Sequence, residues 1–275
     1  MNDLMPLQIF SVRWRKFGDV PGNVKVFKPM KILVINPNTT DSMTDKIRET
    51  ARAVAAPGTE IVAVNPLDGP VSIEGHYDEA YCLPGLLDEA RKGAADGADA
   101  LVIACFDDPG LEACRELLDI PVIGICEAAM AAASMVGHGF SVVTTLPRAV
   151  PIIEALAFKY GFERQCRRVR SAEIPVLALE EEGGGAAAKV REEVIAAIEQ
   201  DHAEAVLLGC AGMTDLAEAL TKETGVPVID GVAAAVKFSE ALVGLGLKTC
   251  KRLAYDSPRP KTYGGAFAAA APKAE

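Results

Sequence analysis

Ala98-Asp99-Ala100-Leu101-Val102-Ile103-Ala104-Cys105 and Ala203-Glu204-Ala205-Val206-Leu207-Leu208-Gly209-Cys210 are two versions of one phrase. Each runs from an acidic residue through an unbroken apolar segment of strand length to a cysteine. Strands apolar at every position, rather than at alternate ones, belong to parallel sheets covered on both faces. A second match follows in the same order and within one residue of the same spacing, Ile120-Pro121-Val122-Ile123 over Val226-Pro227-Val228-Ile229. One such match arises by chance in an α/β protein; two in the same order and at nearly the same spacing point to a duplicated unit.

Outward from these strands, the chain alternates short apolar runs with amphipathic stretches. Residues 31–36, 60–64, 99–104 and 121–125 read as strands, and 41–54, 78–96, 109–118 and 127–136 as helices. In the first helix Met43, Ile47, Ala51 and Val54 share a face. The series then restarts: strand 140–145, helix 149–160, a strand region 166–179, a loop 180–185, a helix carrying Val190, Val194 and Ile198, strand 204–209, helix 214–224, strand 227–230 and helix 231–246. The expected fold is α/β, with two similar lobes, each a parallel four-stranded sheet flanked by helices. A pseudo-twofold relates them and places the active site in the interlobe cleft. The first lobe is expected over 30–138 and the second over 139–230, with 231–250 packing back on the first. Residues 1–29 hold five Lys and Arg but no apolar core of a secretory leader, and read as a poorly ordered extension. The Pro-, Gly- and Ala-rich end, 251–275, reads as a disordered tail.

Composition removes several functions. The 28 Lys and Arg against 38 Asp and Glu leave a formal charge of −10, the wrong sign for neutralising a phosphate backbone, so no nucleic acid is expected. No run of about 18 apolar residues exists to cross a membrane. The seven cysteines are odd in number and contain no C-x-x-C pair, and only His76, His138 and His202 are present. Neither a disulfide framework nor a metal site fits; free thiols and a cytoplasmic location do.

A free cysteine is most often a small core residue, and Cys114, in a stripe with Leu111 and Leu118, and Cys126 read that way. Cys105 and Cys210 differ, because each follows the third strand of its unit. Ligands of parallel sheets sit beyond the carboxyl ends of strands, so the two thiols are expected to face each other. Asp107-Asp108-Pro109 and Gly212-Met213-Thr214 read as helix starts, which would lower the thiol pKa values. Two thiols on opposite sides of a cleft suit a disulfide switch or a two-base reaction at a carbon acid. In the latter, one thiolate takes a proton from one face and the other thiol returns one to the opposite face. Glu74, His76 and Asp78 read equally as a solvated loop or as catalytic aids.

The stretches Ile35–Thr40, Gly69–Gly75, Ile103–Gly110, Leu208–Met213 and Val228–Val232 resemble the hydantoin racemase branch of the aspartate/glutamate racemase superfamily. Cys105-Phe106-Asp107-Asp108 stands where the amino-acid racemases carry Cys-Asn-Thr. The resemblance implies cofactor-free inversion at C5 of a 5-monosubstituted hydantoin by Cys105 and Cys210. Charge develops on the C4 oxygen, for which N–H groups near Phe106, Asp107, Ala211 and Gly212, together with Thr144 and Thr145, are candidates. Asn38 is implied to hydrogen-bond a ring amide, and Pro37 and Ile73 to shape the pocket. No cofactor or metal is implied, and the expected partners are the small-molecule substrate and further copies of the chain. Allantoin, a hydantoin with a ureido group at C5, is the nearest rival substrate. A non-catalytic bilobal sensor is the alternative of another class.

Overall fold

The computed structural model describes residues 29–180 and 185–273. Among them, β1 (Met30–Ile35), β2 (Thr59–Val64), β3 (Ala100–Ile103) and β4 (Val122–Gly124) form one parallel sheet in the order β2-β1-β3-β4. A second parallel sheet holds β5 (Phe140–Thr144), β6 (Cys166–Ser171), β7 (Ala205–Leu208) and β8 (Val228–Asp230) in the order β6-β5-β7-β8. Strand for strand, the second order is the first displaced by four. Both duplicated phrases form central strands, and β3 and β7 are buried at every position, as their continuous apolar sequence requires.

Among the described residues, eight α-helices cover the sheets: α1 (Asp41–Val54), α2 (His76–Ala95), α3 (Leu111–Leu117), α4 (Ile125–Val136), α5 (Val150–Lys159), α6 (Ala186–Gln200), α7 (Ala217–Thr224) and α8 (Gly231–Gly244). Two of them trade places. α8 packs against β1, β3 and β4, and α4 packs against β7 and β8, so the last helix of each unit lies on the other unit's sheet. Their small side chains permit the approach. Ala129, Ala133, Val232 and Ala235 share one buried cluster with Ile32 and Val102 of the first sheet and Phe140 and Leu207 of the second. At the tightest point a Cβ on Gly231 would stand 2.6 Å from the Ile125 carbonyl oxygen, so only glycine fits there.

Four expectations change. The strand region 166–179 ends at Ser171, and Val176–Glu180 is a 3-10 turn; Pro175 has no N–H to continue a ladder. The expected helix 214–224 begins as a 3-10 turn, Ala211–Leu216, before α7. Asp107-Asp108-Pro109 does not cap α3, whose first residue is Leu111 after a left-handed Gly110. The end of the chain is anchored at its start rather than disordered from 251. Lys251 Nζ donates to the carbonyls of Arg115 (3.1 Å) and Glu116 (2.5 Å) at the C-terminus of α3, and the Tyr255 hydroxyl donates to Glu112 Oε2 at 2.5 Å. A cation placed on the last carbonyls of a helix is favourable. The expected extension falls, up to residue 28, outside the described residues.

Candidate active site

The carboxyl ends of β1, β3, β5 and β7 meet at one hollow, walled by Asn38, Met43, Ile73, Glu74, Ala104, Cys105, Phe106, Asp107, Thr144, Thr145, Ala149, Val176, Gly209, Cys210 and Ala211. It encloses about 460 Å³ of space, the open solvent at its mouth included. Cys105 and Cys210 are both free and half-buried there. Burial is the main influence on each, and it pushes Cys210 up to about 11 and Cys105 well above the ordinary thiol value. The lowering expected from helix starts is therefore overruled by desolvation. The opposing influence is local: the Asp107 N–H points at the Cys105 sulfur, and the Gly212 N–H at Cys210 Sγ from 3.4 Å. At each sulfur the backbone N–H two residues further on opposes the effect of burial.

Asn38 is held by its oxygen. Asn36 Nδ2 and the Thr40 N–H both donate to Asn38 Oδ1 at 2.9 Å, while its own Nδ2 lies 3.6 Å from Met43 Sδ in the wall of the hollow. The amide therefore presents N–H donors, not an acceptor. Asn36 also donates to Thr44 Oγ1 at 3.0 Å, and Thr44 in turn to Asn65 Oδ1 at 2.6 Å, tying the β1–α1 turn to the loop after β2.

Asp108 has a different task from the one its sequence position implied. In a left-handed conformation with φ 44°, and 5% exposed, its carboxylate accepts from the N–H groups of Cys126 (3.0 Å) and Glu127 (2.9 Å) at the start of α4, and from the Tyr160 hydroxyl (2.8 Å). Burial still wins over these bonds and raises it to about 7. The equivalent cap in the second unit is Asp230, which accepts from Val232 (3.2 Å) and Ala233 (2.7 Å) at the start of α8. Position 124, which matches 230 in the repeat, is glycine, and a Cβ there would lie 2.3 Å from the Asp108 carboxyl carbon. One unit carries its capping carboxylate in sequence; the other borrows it from the Cys105 loop.

Of the residues singled out from sequence, Cys105, Cys210, Asn38, Ile73, Phe106, Asp107, Thr144, Thr145 and Ala211 line the hollow, whereas Pro37 and Gly212 do not. Pro37 is buried, and the Gly212 N–H is spent on the sulfur. Thr144 Oγ1 is likewise spent, donating to the Gly209 carbonyl at 3.1 Å. Met43, Ala104, Ala149, Val176 and Gly209 are wall residues that sequence reasoning left out. Ala104 and Gly209 carried a signal, since each precedes its cysteine in the repeat. Glu74 belongs to the wall and accepts from the Val176 N–H at 3.0 Å, while His76 is exposed, its Nδ1 3.3 Å from Glu79 Oε2. Among the described residues no cluster of three or more His, Cys, Asp or Glu has metal-binding geometry, and no helix is long and apolar enough to cross a membrane.

Two parallel sheets of identical order with paired thiols at equivalent strand ends describe a racemase fold, and the chain belongs to the Asp/Glu/Hydantoin racemase family, whose model matches residues 32–238. It is 54% identical over 236 residues to a hydantoin racemase of Rhizobium meliloti, covering 86% of this chain and 98% of that one. To a hydantoin racemase of Pseudomonas sp. (strain NS671) it is 49% identical, covering 86% and 96%. The structure of an allantoin racemase from Klebsiella pneumoniae superposes with a TM-score of 0.87 at 52% identity, covering 89% of this chain and all of that one.

Proposed function

We propose that the chain is a cofactor-independent racemase of 5-monosubstituted hydantoins in which Cys105 and Cys210 act as a pair. The observation that carries this reading is the arrival of two half-buried thiols, from equivalent strand ends of two matching sheets, in one hollow. One thiolate takes the proton from C5, the C–H electron pair moves toward the C4 oxygen, and the opposite thiol delivers a proton to the other face of C5. Which sulfur starts depends on the enantiomer. A thiolate raised by burial is a strong base, suited to a weak carbon acid, and the loss of water around the developing enolate strengthens every hydrogen bond to it. The matched strand orders and the exchanged helices support a pseudo-twofold between the units and a cleft between them as the reaction site.

The Asn38 amide is suited to donate to a ring carbonyl, and the Phe106 and Ala211 N–H groups remain candidates for the C4 oxygen. Met43, Ile73, Phe106 and Val176 make apolar walls that favour an apolar 5-substituent. The likeness to an allantoin racemase keeps a ureido substituent as the second reading. All seven cysteines are free, which supports a cytoplasmic location, and the exposed Tyr77, Tyr81, Met135 and Phe158 support self-association.

The test is an optically pure hydantoin in deuterium oxide. Rotation is expected to decay to zero as deuterium enters C5, and Cys105→Ser and Cys210→Ser each to abolish inversion. Retention of the parental rate by either variant defeats the two-base assignment. A panel of allantoin, 5-benzylhydantoin and 5-isopropylhydantoin separates the two substrate readings by kcat/KM.

A further inference from the structure

Asp107 lines the hollow one residue beyond Phe106, and its carboxyl faces that of Glu79 on α2. Both groups are acceptors when ionised, so the contact requires a proton. Among the described residues no N–H or O–H group donates to Glu79 Oε1, although that atom is buried. Two facing carboxylates without a donor cannot both be charged in a partly desolvated site. Glu79 keeps its other oxygen near the exposed His76 ring, which favours placing the negative charge on Glu79.

We propose that Glu79 is a positioning residue that holds one proton on Asp107, so that Asp107 meets the substrate as a neutral acceptor for a ring N–H rather than as an anion. The proton of Asp107 is directed at Glu79 Oε1, which leaves the carbonyl oxygen of Asp107 for the hollow. With the Asn38 amide donating and Asp107 accepting, the wall offers the complement of an N–H/C=O edge such as the hydantoin ring carries. This assignment rests on the hydantoin reading for its ligand but not for its proton.

The charge on Asp107 matters because it acts on both sulfurs. It is among the influences that raise Cys105 and Cys210, and it also acts on the buried Cys82 and Cys126. The other ionisable groups facing Asp107 are Glu79 and Asp108; Cys210 additionally faces Lys46 and Glu180. Burial first, then Glu79 and Asp108, push Asp107 up to about 7. Keeping the dyad's single charge on Glu79 removes an anion from beside the two thiols below about pH 7.

Glu79→Gln tests the arrangement in the full chain. Its side-chain amide can donate to Asp107 and releases the need for the proton, so Asp107 ionises in the ordinary carboxylate range. The readout that needs no substrate is the iodoacetamide alkylation rate of Cys105 and Cys210, followed by peptide mass spectrometry from pH 5 to 9. In the parent the slope of log rate against pH is expected to break downward near pH 7, as Asp107 ionises. In Glu79→Gln that break is expected to vanish, with alkylation at pH 6 slowed severalfold, and Glu79→Asp to restore it. If hydantoin is turned over, Glu79→Gln raises KM for the ring at pH 6. A parent profile without the break, or a Glu79→Gln profile that superposes on the parent, overturns the proposal. Racemase activity on a different ring would leave the alkylation result standing and displace only the substrate reading.

Discussion

Cys105 and Cys210 sit where sequence reasoning expects thiols made acidic by helix starts, yet burial makes them less acidic than a free cysteine. The contest is between desolvation and a single backbone N–H aimed at each sulfur, and a neutral donor recovers only part of the cost of removing an anion from water. For Cys210, a move from 9.0 to about 11 leaves roughly a hundredfold less thiolate near neutrality. The compensation is basicity, because a thiolate that is hard to form takes a proton from carbon more readily once formed. Racemisation is therefore expected to be slow near pH 6 and to keep rising through the alkaline range, although less steeply once Asp107 ionises. A profile of kcat/KM that peaks below pH 7 contradicts this account. Asn38 makes the same kind of point in reverse. Its place at the hollow was expected from the sequence motif, but that its amide presents N–H donors was not, because the two groups that occupy its oxygen come from the fold of the β1–α1 turn.

At the level of elements, the capping carboxylates of α4 and α8 connect stability to the site. Gly124→Ala would push a methyl group to within 2.3 Å of the Asp108 carboxyl. The carboxylate would leave the start of α4, and the loop from Cys105 to Asp108 would move with it. Gly231→Ala meets the Ile125 carbonyl at 2.6 Å and strains the contact between α4 and α8 instead. Each is expected to cost about 1–3 kcal/mol in urea unfolding, but Gly124→Ala to lose more than tenfold further inversion rate at equal stability; equal losses would separate Asp108 from the chemistry. This cap marks the limit of what the sequence discloses. The strands were legible because parallel central strands write their burial at every position, and α1 because Met43, Ile47 and Ala51 recur at helical spacing. The Asp108 bonds to Cys126 and Glu127 span 18 and 19 residues, so the run Asp107-Asp108-Pro109 was read as a local cap. Ala149 and Val176 enter the wall from 3-10 turns that have no periodicity to read.

For the molecule as a whole, the buried Asp108 and Asp230 and the half-buried Asp107 set an unusual dependence of stability on pH. Asp107 and Asp108 are raised to about 7 and Asp230 to about 6, each by burial first. Between about pH 4 and 7 the folded chain therefore binds more protons than the unfolded one, and stability falls as pH rises through that window. The paired carboxylates act elsewhere. Burial opposes Glu112, Asp201 and Glu240, but Lys159, Arg170 and Lys237 hold them low, and Lys248 lowers Asp119. Their contribution is lost only as pH falls below the ordinary carboxylate range. The formal charge of −10 works in the same direction as the buried acids, since protonation above pH 4 relieves self-repulsion. The melting temperature is thus expected to be higher at pH 5.5 than at pH 8. Asp108→Asn separates the buried-acid effect from general charge: it removes one titrating group, so the fall in unfolding free energy between pH 5 and 7 should shrink by about one proton, about 1.4 kcal/mol per pH unit. Chemical denaturation at fixed pH steps measures this slope, and a slope unchanged in Asp108→Asn would mean that Asp108 is ionised throughout and that its three hydrogen bonds outweigh its burial.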